Sequence, residues 1–235
     1  MCKLFGLDVY SKGKESLILD LESVKYKVHI ISGNAEVFKH PLKDELLFEK
    51  FLDKSSIIIP DGVSVSLPSK IRNKKTVERI AGIDLMVSLL EKYEKDNKSI
   101  FLLGAKEDIL IKTVNNLEQK YPNLNIAGYH HGYFDTENPQ DIINQIKDSK
   151  ADALFVAMGT PTQELFIFKY MDELPCSLYM GVGGSFDVLS GEIKRAPKLI
   201  SNIGLEWLYR MIKDPSKIKR FNHNIFFTLK ALLKG

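Results

Sequence analysis

The sequence contains little of what marks several common protein classes. Only two of its 235 residues are cysteines, Cys2 and Cys176, which excludes a disulfide framework. No run approaches the roughly 18 consecutive apolar residues that a membrane span needs. The first residues, MCKLFGLDVYSKGKE, lack the long apolar core of a signal peptide. We therefore expect a cytoplasmic protein without a spanning segment.

Several catalytic signatures are also missing. The sequence has no P-loop and no G-x-S-x-G segment, which argues against P-loop NTPases and α/β-hydrolases. The GVGGSF segment at 181–186 lacks the full dinucleotide-binding spacing, so a dehydrogenase is a weak alternative. His130 and His131 could form a metal pair, but adjacent residues of a strand point to opposite faces. We therefore expect no metal site.

The charge is small overall and unevenly distributed. The net charge is +3, with 44% hydrophobic and 27% charged residues, as in an ordinary globular protein. From Glu192 onward there are ten Lys and Arg against three Asp and Glu. This basic end predicts an anionic partner near the C-terminus. It lacks the interleaved aromatics of a single-strand platform, so we expect no nucleic acid.

Short β-rich runs alternate with longer segments of helical periodicity along most of the chain. The predicted strands are 26–31, 56–59, 99–103, 124–128, 153–157 and 177–182. The predicted helices are 35–52, with a break near Pro41, and 79–94, 105–120, 138–149 and 162–173. This alternation is typical of βαβ units. It predicts an α/β fold with a Rossmann-like, mainly parallel sheet flanked by helices.

The segment after Asp214-Pro215 has a different character. On a helix its apolar residues form one stripe, spaced three and four apart: Ile218, Phe221, Ile225, Leu229 and Leu232. Basic residues cluster on the opposite side, and Phe227 breaks the pattern by falling among them. Two interpretations remain open. The helix either packs on the core or a neighbour, or lies on an anionic membrane with its apolar face in the lipid.

Glycines and polar residues follow the predicted strands at the points where they end. These turns are 32–34, 61–62, 104–106, 158–164 and 181–191. In a parallel sheet they converge on one edge, where open α/β folds bind ligands. Glycine amides and helix N-termini together can bind a diphosphate without a metal. Taken alone, each turn also has a structural explanation: Ser32 or Asn34 as a helix cap, Asp61 as a turn residue or cap.

Eight longer segments carry a resemblance to a known family. They are SGNAE at 32–36, PDGVSV at 60–65, ERIAGIDL at 78–85, FLLGA at 101–105, GYF at 132–134, MGTPTQE at 158–164, GVGGSFDVLSGEIKRAP at 181–197 and GLEWLYRMIKDPSKIKR at 204–220. With these segments in this order, the sequence resembles the WecG/TagA/CpsF family of bacterial glycosyltransferases from about residue 4 to residue 220.

The resemblance implies an inverting glycosyltransferase that needs no metal and no other cofactor, and the sequence has no D-x-D segment. The implied enzyme is peripheral on the inner face of the bacterial membrane. It would transfer N-acetylmannosamine from a UDP-sugar to a polyprenyl-diphosphate-linked N-acetylglucosamine, for wall teichoic acid or a related polymer. The uronic acid of that sugar or glucose, for capsule or exopolysaccharide, remains an alternative. A non-catalytic nucleotide-binding regulatory module is the alternative from another class.

The resemblance also assigns roles to individual residues. Asp61 matches the proposed general base, and Ser32 and Asn34 match the polar pair near the first turn. The residues expected to bind substrate form a larger set: Arg79, Gly104, Tyr133, Gln163, Glu164, Gly183, Gly184, Asp187, Arg210, Lys217 and Arg220. Among them, we expect glycine amides and arginines to stabilise the departing diphosphate. We expect Asn34 and Gln163 to orient sugar hydroxyls.

Four positions depart from the family pattern, which usually has Thr at Ser32, Gly at Ser64, Lys at Thr162 and Arg at Lys217. These departures bear on the donor and acceptor more than on the reaction type. We divide the chain into an α/β catalytic domain at 1–193 and an appendage at 194–235. The appendage is expected to associate with anionic membrane and to close the active site. An apolar stripe on it is compatible with a homo-oligomer.

Overall fold

The computed structural model describes residues 1–73, 77–197 and 218–234, without the side chains of 73, 218–224 and 234. The strands are β1 (Cys2–Leu4), β2 (Leu7–Val9), β3 (Val28–Gly33), β4 (Ser56–Pro60), β5 (Ser99–Gly104), β6 (Asn125–His130), β7 (Ala153–Ala157) and β8 (Leu178–Gly181). The helices are α1 (Lys14–Ser23), α2 (Ala35–Phe38), α3 (Glu45–Leu52), α4 (Val63–Asn73), α5 (Gly82–Lys95), α6 (Glu107–Lys120), α7 (Gln140–Ser149), α8 (Thr162–Tyr170), α9 (Ser185–Leu189) and α10 (Ile218–Lys234).

The strands form one mainly parallel sheet in the order β1-β2-β4-β3-β8-β7-β5-β6, which confirms the α/β prediction. All six predicted strands are present, and the predicted break near Pro41 separates α2 from α3. The sequence interpretation missed the N-terminal hairpin, in which β1 pairs antiparallel with β2. Phe5 and Gly6 form its two-residue turn with φ of 52° and 83°, as a type I′ hairpin requires. It also missed α1, α4 and α9; α4 carries Pro68 in its interior.

The chain divides into two compact units. Unit 1 comprises Met1–Leu17, Ser32–Ala81 and Lys194–Gly235, and unit 2 comprises Ile18–Ile31 and Gly82–Ile193. Strand β3 contributes residues to both. The predicted division into a catalytic domain and an appendage at residue 193 stays a prediction.

In unit 1, helix α10 packs through Phe227, on a side of the helix that its apolar spacing did not predict to be buried. Phe227 is 4% exposed, and its ring lies 5.4 Å from that of Phe5 and 5.8 Å from that of Phe38. The Arg72 guanidinium donates a hydrogen bond to the Leu232 carbonyl at 3.1 Å. Helix α10 is therefore attached to unit 1 by an aromatic contact and a hydrogen bond from α4.

The predicted apolar stripe of this helix is only partly buried. Ile225 and Leu229, expected to share the buried or membrane face, are 44% and 54% exposed. Phe227, expected to break the pattern, is the anchor, because the contact with Phe5 and Phe38 selects its side of the helix. Among the described residues, no helix is long and apolar enough to cross a membrane.

Unit 2 has an apolar core between β5, β7 and β8 and the helices α7 and α8. Lys27 stabilises the end of α8: its ammonium donates hydrogen bonds to the carbonyls of Met171, Asp172 and Leu174 at 2.6–3.0 Å. These carbonyls belong to the turn that follows α8, and the Tyr179 hydroxyl also lies 3.1 Å from those of Met171 and Leu174. The Lys27 ammonium and the Tyr179 hydroxyl therefore hold this turn together.

One histidine lies inside this core. His29 is fully buried in β3, and its ring meets Phe168 edge-on with 4.7 Å between centroids. Neither ring nitrogen has a hydrogen-bond partner in the part of the chain that the structure describes. Burial disfavours the charged imidazolium and lowers the pKa of His29 to about 3.

Candidate active site

The predicted catalytic residues of unit 1 lie in two turns that are joined by backbone hydrogen bonds. Strands β3 and β4 are neighbours in the sheet, so the turns that follow them meet. The N–H groups of Asp61 and Gly62 both donate to the Gly33 carbonyl, at 3.1 and 3.2 Å. A side chain at Gly33 would lie 2.7 Å from the Ile59 carbonyl oxygen, so only glycine allows this approach. The sheet thus places Asp61 beside the Ser32–Asn34 turn, as predicted.

Asn34 is a helix cap in this arrangement. Its side-chain oxygen accepts hydrogen bonds from the N–H groups of Glu36 and Val37, at 3.0 and 3.1 Å. Its amide nitrogen donates to the Ser32 carbonyl at 3.2 Å. The structural role that the sequence left open is therefore present. One amide hydrogen of Asn34 remains available for a ligand, and the expected contact with a sugar hydroxyl stays a prediction.

Asp61 itself is half-buried, and Arg79 lies beside its backbone. The Arg79 guanidinium donates to the Asp61 carbonyl oxygen at 3.1 Å, so this arginine orders the turn that carries the carboxylate. The Ile80 N–H also donates to the Pro60 carbonyl, at 3.1 Å. Residues 79 and 80 are therefore both bonded to the backbone at the end of β4. The arrangement can hold a carboxylate in a defined place at the end of β4. The expected diphosphate contact of Arg79 stays a prediction.

In unit 2, the turns after β7 and β8 meet for the same topological reason. These strands are parallel neighbours. The Gly183 N–H donates to the side-chain oxygen of Gln163 at 3.0 Å. The side-chain amide of Gln163 donates to Glu164 at 2.7 Å, and both residues are buried, at 3% and 1% exposed. The expected amide donor at Gly183 is thus occupied in this conformation.

The carboxyl of Glu164 is in an unusual environment for an acid. Thr160 donates to its Oε1 atom at 3.4 Å. Its Oε2 atom has no hydrogen-bond partner within the described ranges 1–73, 77–197 and 218–234. Burial raises the pKa of Glu164, while the hydrogen bonds from Gln163 and Thr160 oppose that rise. Direct contact with substrate, as expected from the sequence, stays a prediction.

The remaining glycines and Asp187 line the same set of turns. Gly184 is exposed, and a Cβ placed on it would lie 3.3 Å from the Asp187 carboxylate. Gly104 has a φ of 128°, a conformation that favours glycine, and a side chain there would overlap the Ala157 backbone. The next residue, Ala105, donates its N–H to the Ala157 carbonyl at 2.9 Å. Gly104 is therefore required by close backbone approach.

Tyr133 lies on the segment that follows β6. Its side chain is 70% exposed, which leaves the ring face available for stacking, and its N–H donates to the His131 ring at 3.2 Å. The rings of His130 and His131 lie 4.4 Å apart, against our expectation of opposite faces, because the strand ends at His130. No group of three or more potential metal ligands occurs among the residues placed by the structure.

The side chains of three predicted residues lie outside the described structure. Arg210 and Lys217 lie outside the described residues, and for Arg220 only the backbone, within α10, is described. Their expected contact with a diphosphate stays a prediction.

The sequence interpretation assigned no role to two hydroxyl residues at these turns. Ser64, noted only as a departure, accepts a hydrogen bond from the Ala35 N–H at 3.2 Å and so links the turn after β4 to α2. Thr160 contacts Glu164, as described above. Both lie within quoted segments, PDGVSV and MGTPTQE, but the role of Ser64 depends on a contact with a residue far away in the sequence.

Known proteins are similar to this chain over most of its length. The sequence model described as "Glycosyl transferase WecG/TagA/CpsF family" matches residues 2–235. A protein of Bacillus subtilis (strain 168) is 41% identical over 191 residues, and one of Bacillus spizizenii is 37% identical over 191 residues. Each alignment covers 81% of this chain and 73% of the relative. Both are named N-acetylglucosaminyldiphosphoundecaprenol N-acetyl-beta-D-mannosaminyltransferase. The chain therefore belongs to the glycosyl transferase WecG/TagA/CpsF family.

Proposed function

We propose that this glycosyltransferase moves N-acetylmannosamine from a UDP-sugar to N-acetylglucosaminyl-diphosphoundecaprenol. The observation that carries the proposal is the similarity to two relatives whose name states this acceptor and this sugar. The similarity is accompanied by a carboxylate, Asp61, held at the end of β4. The product would serve wall teichoic acid or a related cell-surface polymer.

Asp61 acts as the general base in this proposal. Its carboxylate takes the proton of the attacking acceptor hydroxyl, while the oxygen forms a bond to the anomeric carbon. Attack from the face opposite the nucleotide breaks the bond to the diphosphate and inverts the configuration. The Gly33 carbonyl and Arg79 hold the backbone of this turn, which keeps the carboxylate in place. Positioned general bases contribute roughly a hundred- to ten-thousand-fold to a rate.

The departing UDP needs stabilisation of its charge, which in this proposal comes from protein groups without a metal. Backbone amides of the glycine turns and the cations of the C-terminal segment supply it. Because the Gly183 amide is already bonded to Gln163, the exposed Gly184 is the better donor of the two. Arg79 is half-buried near the same turn as Asp61 and is a further cation.

The lipid-linked acceptor places the enzyme at a membrane surface in this proposal, on its cytoplasmic face. Helix α10 supports this because it has exposed apolar side chains while its other face is anchored by Phe227. These side chains are Ile225, Phe226, Leu229 and Leu233. Residues 218–234 contain four basic and no acidic residues, a composition suited to anionic lipid. A second copy of the chain is the other surface that this face could contact.

The experiment measures UDP release by the full-length protein with UDP-N-acetylmannosamine and a lipid-linked N-acetylglucosamine diphosphate, with and without EDTA. We expect turnover that requires the acceptor and does not change with the chelator. Asp61→Asn should reduce turnover by about a hundredfold or more. The matched control is Asp148→Asn, an exposed aspartate on α7, which should not change turnover.

Three outcomes would contradict the proposal. Equal turnover by the wild type and Asp61→Asn would remove Asp61 as the base and leave it as a turn residue. Turnover with another UDP-sugar but none with UDP-N-acetylmannosamine would reject the donor. Loss of activity in EDTA, restored by a divalent cation, would reject the metal-independent mechanism.

A further inference from the structure

The pair formed by Gln163 and Glu164 has a hydrogen-bond pattern whose direction is fixed by the backbone. The Gly183 N–H can only donate, so the group that faces it, at 3.0 Å, must be the side-chain oxygen of Gln163. The nitrogen of the same amide then faces Glu164, at 2.7 Å. Since that nitrogen can only donate, the facing Oε1 atom of Glu164 must accept. The two hydrogen bonds therefore point the same way: Gly183 donates to Gln163, and Gln163 donates to Glu164.

The surroundings leave the Gln163 side chain little freedom. A Cβ placed on Gly181 would lie 2.5 Å from the Gln163 amide nitrogen, so the side chain lies flat against the backbone of β8 at its end. The side chain of Gln163 is 3% exposed and that of Glu164 is 1% exposed. A substrate that approaches the turns from solvent therefore does not reach Glu164 in this conformation.

The residues at the other end of this chain of hydrogen bonds are accessible. Gly183 is half-buried with a φ of 48°, and Gly184 is exposed at the start of α9. Nothing lies within 4 Å of a Cβ placed on Gly183, so its conformation is not imposed by crowding. Ser185 closes the turn through its N–H and its hydroxyl, which donate to the Val182 carbonyl at 3.1 and 2.7 Å. At Gly183 itself, the hydrogen bond to Gln163 restrains the direction of the N–H.

We infer that Gln163 and Glu164 are a positioning pair that sets the conformation of the glycine turn at 181–184 without contacting the substrate. Glu164 orients the Gln163 amide, and Gln163 fixes the Gly183 N–H, which in turn directs Gly184 and the start of α9. The catalytic consequence rests on the proposed function, in which this turn receives the diphosphate. The conformational part does not depend on that function.

The test exchanges the two side chains. In Gln163→Glu, two carboxyl groups face each other across the 2.7 Å contact, and the turn should lose its restraint. In the double variant Gln163→Glu/Glu164→Gln, the new carboxylate can accept from both Gly183 and the new amide. The Thr160 hydroxyl, which donates to the Oε1 atom of Glu164 in the wild type, can rotate to accept from that amide. The single variant Gln145→Glu is the control, since it makes the same change of side chain at an exposed position of α7.

Two measurements follow each variant. Amide hydrogen exchange of the 181–189 segment should accelerate in Gln163→Glu and return to the wild-type rate in the double variant. Transfer activity should fall by about a hundredfold in Gln163→Glu, as for a misplacement near the reacting groups, and should recover to within about threefold in the double variant. The control should resemble the wild type in both measurements.

The two measurements separate the possible failures. Exchange that stays fast in the double variant would overturn the inference, because restoring the contacts would not restore the turn. Exchange that recovers while activity does not would also overturn it, by showing that Gln163 or Glu164 contacts the substrate. If the wild type transfers no sugar, the proposed function fails, and the exchange rates alone then decide whether the pair positions the turn.

Discussion

The buried His29 predicts a specific loss of stability in mild acid. Its pKa lies near 3 in the folded protein and near its ordinary value of 6.5 in the unfolded chain. Between these values the unfolded state binds more protons than the folded state, so the free energy of unfolding falls as the pH falls. The full contribution is present above pH 6.5, and it is lost progressively down to about pH 3.

The size of the effect follows from the same linkage. Within this window, each unit by which the pH falls lowers the free energy of unfolding by about 1.4 kcal/mol for one proton. From pH 7 to pH 5 His29 should therefore remove about 2 kcal/mol from the free energy of unfolding. Replacing it with methionine, which has a similar volume and does not titrate, should abolish this part of the loss. At pH 7 the variant should be as stable as the wild type or more so, because two ring nitrogens without partners in the described structure are removed.

The assay is urea unfolding of the full chain, followed by circular dichroism at pH 7 and at pH 5. The free energy of unfolding at pH 5 is subtracted from that at pH 7, and this difference is compared between the wild type and His29→Met. Other titrating groups contribute equally to both proteins. His131→Gln is the control, because this histidine lies outside the core, and it should retain the wild-type difference. An equal loss of stability in the wild type and His29→Met would refute the reasoning.

Three further changes test the packing. Lys27→Met removes the ammonium that donates to three carbonyls of the turn after α8, two of which keep the Tyr179 hydroxyl as a donor. It should lower the free energy of unfolding by about 2 kcal/mol, measured by urea unfolding. Gly104→Ala combines a positive φ with overlap on a neighbouring backbone, so its melting temperature should fall well below that of Gly191→Ala, which has a positive φ but open space. An equal fall in the melting temperature of the two variants would show that positive φ accounts for the whole effect and that the overlap contributes nothing. Phe227→Ala should lower the free energy of unfolding by about 3–5 kcal/mol and speed proteolysis of α10. Phe226→Ala, at a 68% exposed position, should change both little. Equal sensitivity of the two variants would contradict the anchoring of α10 by Phe227.

The alternation of strands and helices was readable from the sequence. Apolar runs such as 99–103 and 153–157 are too short for helices, and the longer segments between them carry helical spacing. Parallel pairing follows because each crossover contains a helix. It also follows that the turns after neighbouring parallel strands meet, since such strands end at the same edge. For this reason the sequence alone predicts that Asp61 lies near Ser32 and Asn34.

Other features were determined only by tertiary contacts. Whether Ile225 or Phe227 faces the body depends on Phe5 and Phe38, which lie far away in the chain. Likewise, Gln163 and Glu164 look like exposed residues of a first helical turn until the neighbouring strand brings Gly183 against them. Sequence periodicity specifies that a helix has an apolar face, and local composition specifies that a turn is polar. The partner of each group is decided by residues that become neighbours only when the sheet forms, because hydrogen bonds and side-chain packing act over a few ångströms of space whatever the separation in sequence.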